Sequence, residues 1–200
     1  MNKRKQNIMI LIALLILSSL GGFIYWLWVK SIALPILGEI EDYEAETVSG
    51  EPYTIEDGKI KLITIAEKGC PESCQNMFAR LEPLQQDLID KKAFVARAVI
   101  ITIVEDEEDK SRFESYLKEY SVDENGWKIV ILNQEDREAF IEDIQNSKED
   151  ERELTLVDAK GKIRQHYHLE SEEEKEQLLK DVTQLIRIQQ QSIEERRQSD

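Results

Sequence analysis

Two cysteines, Cys70 and Cys74, are the residues of this chain best suited to chemistry. They are the only cysteines among 200 residues, and they lie in the segment GCPESC at 69–74. The mostly apolar run from Ile60 to Ala66 predicts a buried strand before them. Pro71 favours the first turn of a helix, because its ring presets a helical φ angle. The sequence therefore predicts a strand, the cysteine pair and then a helix.

A thiol at a helix N-terminus meets unpaired backbone N–H groups and the positive end of the helix dipole. Both favour the thiolate and lower the thiol pKa. Cys70 and Cys74 are four residues apart, about one helical turn, so their sulfurs can share a face and either bridge each other or hold one soft metal ion. We predict both as catalytic thiols and as metal ligands. An inert structural disulfide is the alternative, but so short a loop would stabilise the fold little.

The chain is acidic, with a net charge of −15. Four of its 26 basic residues precede residue 31 and none of its 41 acidic ones does, so residues 31–200 carry a net charge of −19. So acidic a surface repels phosphate backbones, which argues against a nucleic-acid partner. The same charge is compatible with a cationic partner or with solubility alone.

The N-terminal segment predicts a membrane anchor. It is uncharged from Ile8 to Val29, long enough to cross a hydrocarbon core of roughly 30 Å. Three basic residues at 3–5 precede this run, and aromatic residues cluster near its far end, which predicts a cytoplasmic N-terminus and an extracytoplasmic remainder. A cleaved signal peptide is the alternative, but the run is longer than usual and no clean cleavage site follows it.

The rest of the chain alternates strand and helix patterns. We expect a stalk at 31–50, a thioredoxin-like domain at 51–191 and a frayed polar tail at 192–200. Within the domain, residues 93–104 predict a central strand, and 111–120 and 137–144 predict helices. Residues 127–132 predict a strand, 154–168 a β-hairpin and 172–191 a closing helix. This order predicts an α/β, thioredoxin-like fold with a central mixed sheet, a C-terminal hairpin and a final helix, preceded by one transmembrane helix.

Several motifs are spread along this domain: Gly58-Lys59 before the first long strand, CPESC at 70–74, Gly126-Trp127, and LVD at 156–158 with GKIR at 161–164. In this order and spacing they resemble the SCO/SenC family of membrane-anchored, thioredoxin-fold proteins that assist cytochrome oxidase assembly. The resemblance implies thiol chemistry and copper binding at Cys70 and Cys74. It also implies a respiratory oxidase subunit, or another extracytoplasmic thiol protein, as the partner.

The family's copper site also uses a distal histidine, and this chain lacks it. Where the resemblance places it, shortly before Asp158, the sequence has the charged run KEDE at 148–151. The family's acidic loop is represented only by EDEED at 105–109, and Gln75 stands where a proline usually follows the second cysteine. Copper held by two ligands would therefore be bound weakly, although Cu(I) prefers soft thiolates.

The only imidazoles are His166 and His168, on a strand predicted to run back toward the cysteine end of the sheet. We interpret them as exposed hairpin histidines without a role, with help in metal binding as the alternative.

These residues predict a membrane-tethered dithiol protein that assists assembly of an oxidase copper centre, as a thiol–disulfide oxidoreductase or a copper chaperone. The alternative is a binding or scaffolding module that keeps the fold without copper or redox activity.

Overall fold

The computed structural model describes residues 18–22, 34–66, 69, 71–90, 96–104, 110–146 and 153–199. The chain divides into two units, Met1–Pro35 and Ile36–Asp200. Residues 18–22 of the first unit are helical, and the remainder of the predicted span at 8–29 lies outside the described residues. Among the helices that are described, none is long and apolar enough to cross a membrane.

The second unit alternates strands and helices. Three short strands come first, followed by a long strand and the helix that carries Cys74. The elements are β1 (Gly38–Glu39), β2 (Glu44–Thr47), β3 (Pro52–Thr54), β4 (Ile60–Ala66), α1 (Pro71–Asp90), β5 (Ala98–Val104), α2 (Lys110–Glu119), β6 (Trp127–Leu132), α3 (Gln134–Asn146), β7 (Leu154–Val157), β8 (Lys162–Tyr167) and α4 (Glu172–Ser199).

One eight-stranded sheet joins all these strands in the order β1-β8-β7-β4-β5-β6-β2-β3. Strands β4, β5 and β6 run parallel, whereas the remaining neighbours pair antiparallel. The predicted mixed sheet with flanking helices, a C-terminal hairpin and a final helix is confirmed. Strand β5 lies between β4 and β6 with every residue buried, as predicted for a central strand.

Helices cover both faces of the sheet. On one face, Phe140 and Ile144 of α3 pack on apolar side chains of the central strands, including Ile63, Ile101 and Val130. On the other face, Phe78 of α1 stacks on Trp127 of β6. Helix α2 packs beside α1 there, and α4 is tied to β8 by the hydrogen bond from Tyr167 to Asp181.

The sheet takes in residues from the segment expected to be a stalk. Strands β1 and β2 lie within residues 31–50 and pair with β8 and β6. At the other end, α4 continues as far as Ser199, through the residues expected to fray.

The β7–β8 hairpin is closed by Asp158. Its Oδ1 accepts hydrogen bonds from the backbone N–H groups of Lys160 and Lys162, and its Oδ2 pairs with Arg164. Gly161 has a φ of +74°, and an added Cβ would lie 2.9 Å from the carbonyl oxygen of Ile40. A side chain at position 161 would therefore separate the hairpin from the chain that follows β1.

Lys61 in β4 is a fully buried cation. Its Nζ donates to the carbonyl of Lys59 at 2.8 Å and lies 3.4 Å from Oδ1 of Asp57. Burial lowers the pKa of Lys61, and the attraction of Asp57 only partly opposes this shift. The folded state therefore binds this proton less tightly than the unfolded chain does.

In the wild type, stability should rise with pH between the lowered pKa of Lys61 and its ordinary value of 10.5. That rise should disappear in Lys61→Met, which removes the titrating group and keeps the side-chain volume. Urea unfolding at pH 7 and pH 10 measures the effect. Lys118→Met removes an exposed lysine and is the control; a Lys61→Met protein whose stability still rises as strongly as that of the control would contradict this expectation.

Candidate functional site

Cys74 lies in the first turn of α1, at the end of the sheet where β4 finishes. Gly69 in the connection has a φ of +68°, which favours glycine and allows a sharp turn between strand and helix. Pro71 begins the helix, as predicted. The Cys74 side chain is only 2% exposed. The structure thus places Cys74 at a helix N-terminus, where its side chain is buried.

Cys74 is disulfide-bonded. The sequence contains one other cysteine, Cys70, which lies outside the described residues. In the disulfide, Cys74 carries no titratable thiol and no thiolate with which to bind a metal ion. Any copper binding through Cys74 therefore requires reduction first.

Phe78, one turn after Cys74, is the centre of an aromatic cluster. Its ring stacks on Trp127 at a centroid distance of 4.9 Å and contacts Tyr116 of α2 at 5.1 Å. Phe113 and Tyr120 complete the cluster at 6.0 and 5.5 Å. Residues four apart on a helix are neighbours on one face, so this packing fixes the face of α1 on which Cys74 is buried.

A chain of buried polar groups extends the aromatic cluster into the sheet. Nε1–H of Trp127 donates to Oγ1 of Thr102 at 3.0 Å, and that oxygen lies 3.1 Å from Oγ1 of Thr64. Thr64 and Thr102 are completely buried. These hydrogen bonds could not be predicted from the sequence, because two threonines within β-branched strands are indistinguishable from other strand-forming residues until strand pairing aligns them.

Arg80 links α1 to the segments just before β7 and just after β8. Its guanidinium pairs with Glu153 at 3.0 Å and also with Glu170. The second oxygen of Glu153 accepts the backbone N–H of Leu169 at 2.9 Å. This cluster joins the helix that carries Cys74 to the beginning of β7 and the end of β8. The charged run at 148–151, where the family's histidine would be expected, lies outside the described residues.

Neither histidine is exposed, so the interpretation of His166 and His168 as exposed hairpin residues was wrong. His166 is 3% exposed, and its Nδ1 lies 2.9 Å from Oγ1 of Thr155. The register aligns His166 with Thr155 and Thr155 with Ile63, which packs on the α3 face. His166 therefore lies on the face away from α1. His168 is half-buried, and its backbone N–H donates to Glu174.

Within the described part of the chain, no three His, Cys, Asp or Glu side chains are placed to share a metal ion. The assignment of Cys70 and Cys74 as metal ligands and catalytic thiols remains a prediction.

No family model matches this sequence, and no curated protein matches it either. Solved structures do match. BsSco, a member of the Sco family of cytochrome c oxidase assembly proteins in which a disulfide switch was identified, is 17% identical over 77% of this chain and 97% of its own, with a TM-score of 0.61. A SCO1/SenC family lipoprotein from Bacillus anthracis is 20% identical over 76% of this chain and 99% of its own, with a TM-score of 0.64.

Yeast Sco1, solved with copper bound, is 15% identical over 74% of this chain and 90% of its own, with a TM-score of 0.57. At these identities the likeness establishes the fold. The thioredoxin-like fold of Sco proteins is therefore the fold of this chain, and the resemblance inferred from the motifs is confirmed at that level.

We expect Thr102→Val to lower the free energy of unfolding by about 1 to 3 kcal/mol, because it leaves the indole N–H of Trp127 buried without an acceptor. Denaturant unfolding followed by tryptophan fluorescence measures the loss. Thr54→Val at the exposed edge of β3 is the matched control, and its effect should stay within about 0.5 kcal/mol. Equal losses of stability in the two variants would show that the hydrogen bonds among Trp127, Thr102 and Thr64 do not stabilise the fold.

Proposed function

We propose that this chain is a membrane-tethered, extracytoplasmic dithiol protein of the SCO/SenC family. It assists assembly of the copper centre of a respiratory cytochrome oxidase by thiol–disulfide exchange, by copper transfer, or by both. The observation that carries the proposal is a disulfide-bonded Cys74 in the first helical turn after β4, within a Sco-like fold.

Thiol exchange would begin from the reduced pair. The thiolate of Cys70 attacks one sulfur of a client disulfide, which forms a mixed disulfide and releases a client thiolate. Cys74 then attacks the Cys70 sulfur, which closes the internal disulfide and releases the second client thiolate. Two electrons pass to the client, and an external dithiol restores the reduced pair. The burial of Cys74 favours Cys70 as the attacking thiol.

Copper transfer would use the same reduced pair. Two thiolates suit Cu(I), a soft ion that tolerates two-coordinate binding. His166 lies on the opposite face of the sheet, so its position does not favour it as a third ligand. We infer that copper is cargo held by two sulfurs and released readily to a client with more ligands.

Location follows from the proposed anchor. Residues 8–29 would cross the membrane with the basic N-terminus in the cytoplasm, and the domain would work on the outer side. The oxidising conditions there suit a disulfide that is formed and broken in use. A respiratory oxidase subunit, or another extracytoplasmic thiol protein, would be the client.

A second candidate is a scaffolding module that has lost copper and redox activity. Two observations favour it: the family's histidine is missing from the sequence, and His166 lies on the face of the sheet away from α1. Such a module would keep the fold and the anchor to contact an assembly partner.

One experiment on the full chain in nanodiscs separates the two candidates. Reduced protein is titrated with Cu(I) against a competing chelator, and the reduction potential of the disulfide is measured against glutathione and dithiothreitol. We expect one Cu(I) per chain, lost in Cys70→Ser and in Cys74→Ser. We also expect a potential above about −300 mV, the range in which disulfides exchange with partners.

His168→Ala is the control, and its copper affinity should equal that of the wild type. No copper retention, combined with a potential well below about −300 mV, would reject the proposal and favour the scaffold.

A further inference from the structure

A groove lies beside β6, at the carboxyl end of the parallel strands. It has a volume of about 410 Å³, and its lining includes Glu44 and Glu46 of β2, Lys110 of α2 and Ile131 of β6. We call it the β2–β6 groove. Open α/β sheets bind their ligands at the carboxyl ends of the strands, so this position makes the groove a candidate binding surface.

The β2–β6 groove shares one end and one face of the sheet with Cys74. Strand pairing aligns Ile131 with Val104, and Val104 with Ala66, the last residue of β4. Ile131 and Trp127 are four residues apart in one strand, so both side chains lie on the face that α1 covers. From β4 to β2 there are three strand spacings, which separate the groove from the start of α1 by about 14 Å.

The charges that line the groove do not balance. Glu46 is aligned with Ile131 and forms an ion pair with Lys110 at 3.3 Å, in which both side chains are partly exposed. Glu44 lies two residues before Glu46 on the same face, and it is exposed. Within the described ranges, no basic side chain pairs with Glu44. Two carboxylates against one ammonium leave the groove with a net charge of −1.

Apolar residues line the groove beside this unpaired carboxylate. They are Ile131 and Leu132 of β6 and the half-buried Ala45 of β2. A lysine or arginine side chain lays its aliphatic stem along apolar surface and keeps its charged head outside, where it can meet a carboxylate. An acidic side chain would be repelled by Glu44, and a purely apolar one would leave that charge without a partner. The groove therefore suits a cationic side chain.

We propose that the β2–β6 groove receives a lysine or arginine side chain of the client polypeptide, from a position near the client's reacting cysteine. The inference rests on the proposed function and deepens it, because it names a feature by which the client is recognised. Four extended residues span about 14 Å. A cation about four residues from the client's cysteine therefore reaches Glu44 while that cysteine lies at the dithiol.

The test measures how fast the reduced full chain in nanodiscs reduces two model peptides. Each peptide carries one cysteine as a mixed disulfide with 2-thiopyridine. Attack by a protein thiolate on the peptide sulfur forms a protein–peptide disulfide and releases 2-thiopyridone, whose absorbance is followed. The second protein thiol then displaces the reduced peptide and closes the internal disulfide.

The two peptides differ only in where their arginines lie. In the near peptide, one arginine lies four residues from the cysteine on each side. In the far peptide, of the same length and composition, each arginine lies eleven residues away. General attraction of a basic peptide to an acidic chain acts on both, whereas a groove at a fixed distance from the dithiol favours the near peptide.

We expect the near peptide to react about twofold to fivefold faster than the far peptide at low salt, the range of one exposed ion pair. Glu44→Gln removes the carboxylate and keeps the side-chain size, so it should make the two rates equal. Glu142→Gln removes an exposed glutamate of α3, on the opposite face of the sheet, and is the matched control. Its ratio of rates should equal that of the wild type. Circular dichroism checks that each variant is folded.

The outcomes separate this inference from the proposed function. If both peptides react no faster than with protein that carries Cys70→Ser and Cys74→Ser, thiol exchange and this inference are rejected together. If the wild type reduces both peptides at equal rates, or if the preference for the near peptide survives Glu44→Gln, the groove is not the recognition site and the proposed exchange stands.

Discussion

The stack of Phe78 on Trp127 joins helix α1 to the sheet, and the geometry around Cys74 depends on it. The two centroids are 4.9 Å apart, and Trp127 is itself held by its hydrogen bond to Thr102. Aromatic rings contribute large buried area with defined geometry, and a buried indole N–H needs an acceptor. Because Cys74 is one turn from Phe78, the helical turn that carries the thiol is positioned by contacts made deep in the core.

Within the proposed function, that arrangement would favour thiol exchange more directly than stable copper binding. A buried Cys74 in a disulfide is protected from outside attack, so the pair can rest oxidised until a reductant reaches it. Copper needs both sulfurs reduced, and the buried imidazole of His166 lies on the opposite face of the sheet. Two-ligand binding would be weak, which is compatible with passing an ion to a client and not with storing it.

Charge separates the interior of this domain from its edge. Lys61 is buried in a strand that leads toward the cysteine pair, and its burial outweighs its attraction to Asp57. On β8, by contrast, Lys162 and Arg164 are partly exposed and pair with Glu39 and Asp158. Burial of a charge costs free energy that a partly exposed ion pair does not. The charge of Lys61 therefore opposes folding, whereas the charges on β8 cost little.

The sequence alone determined the long elements and the position of the thiols. Strands β4, β5 and β6 and helix α1 were predictable because apolar periodicity extends over many residues, and Pro71 marks where the helix begins. Strands β1 and β2 were not predicted, since two to four mostly polar residues carry no such pattern and form only because neighbouring strands offer hydrogen-bond partners. Tertiary structure alone decided that Thr64, Thr102 and Trp127 align, and that His166 lies away from α1. Both depend on strand register, which is set by pairing between distant segments.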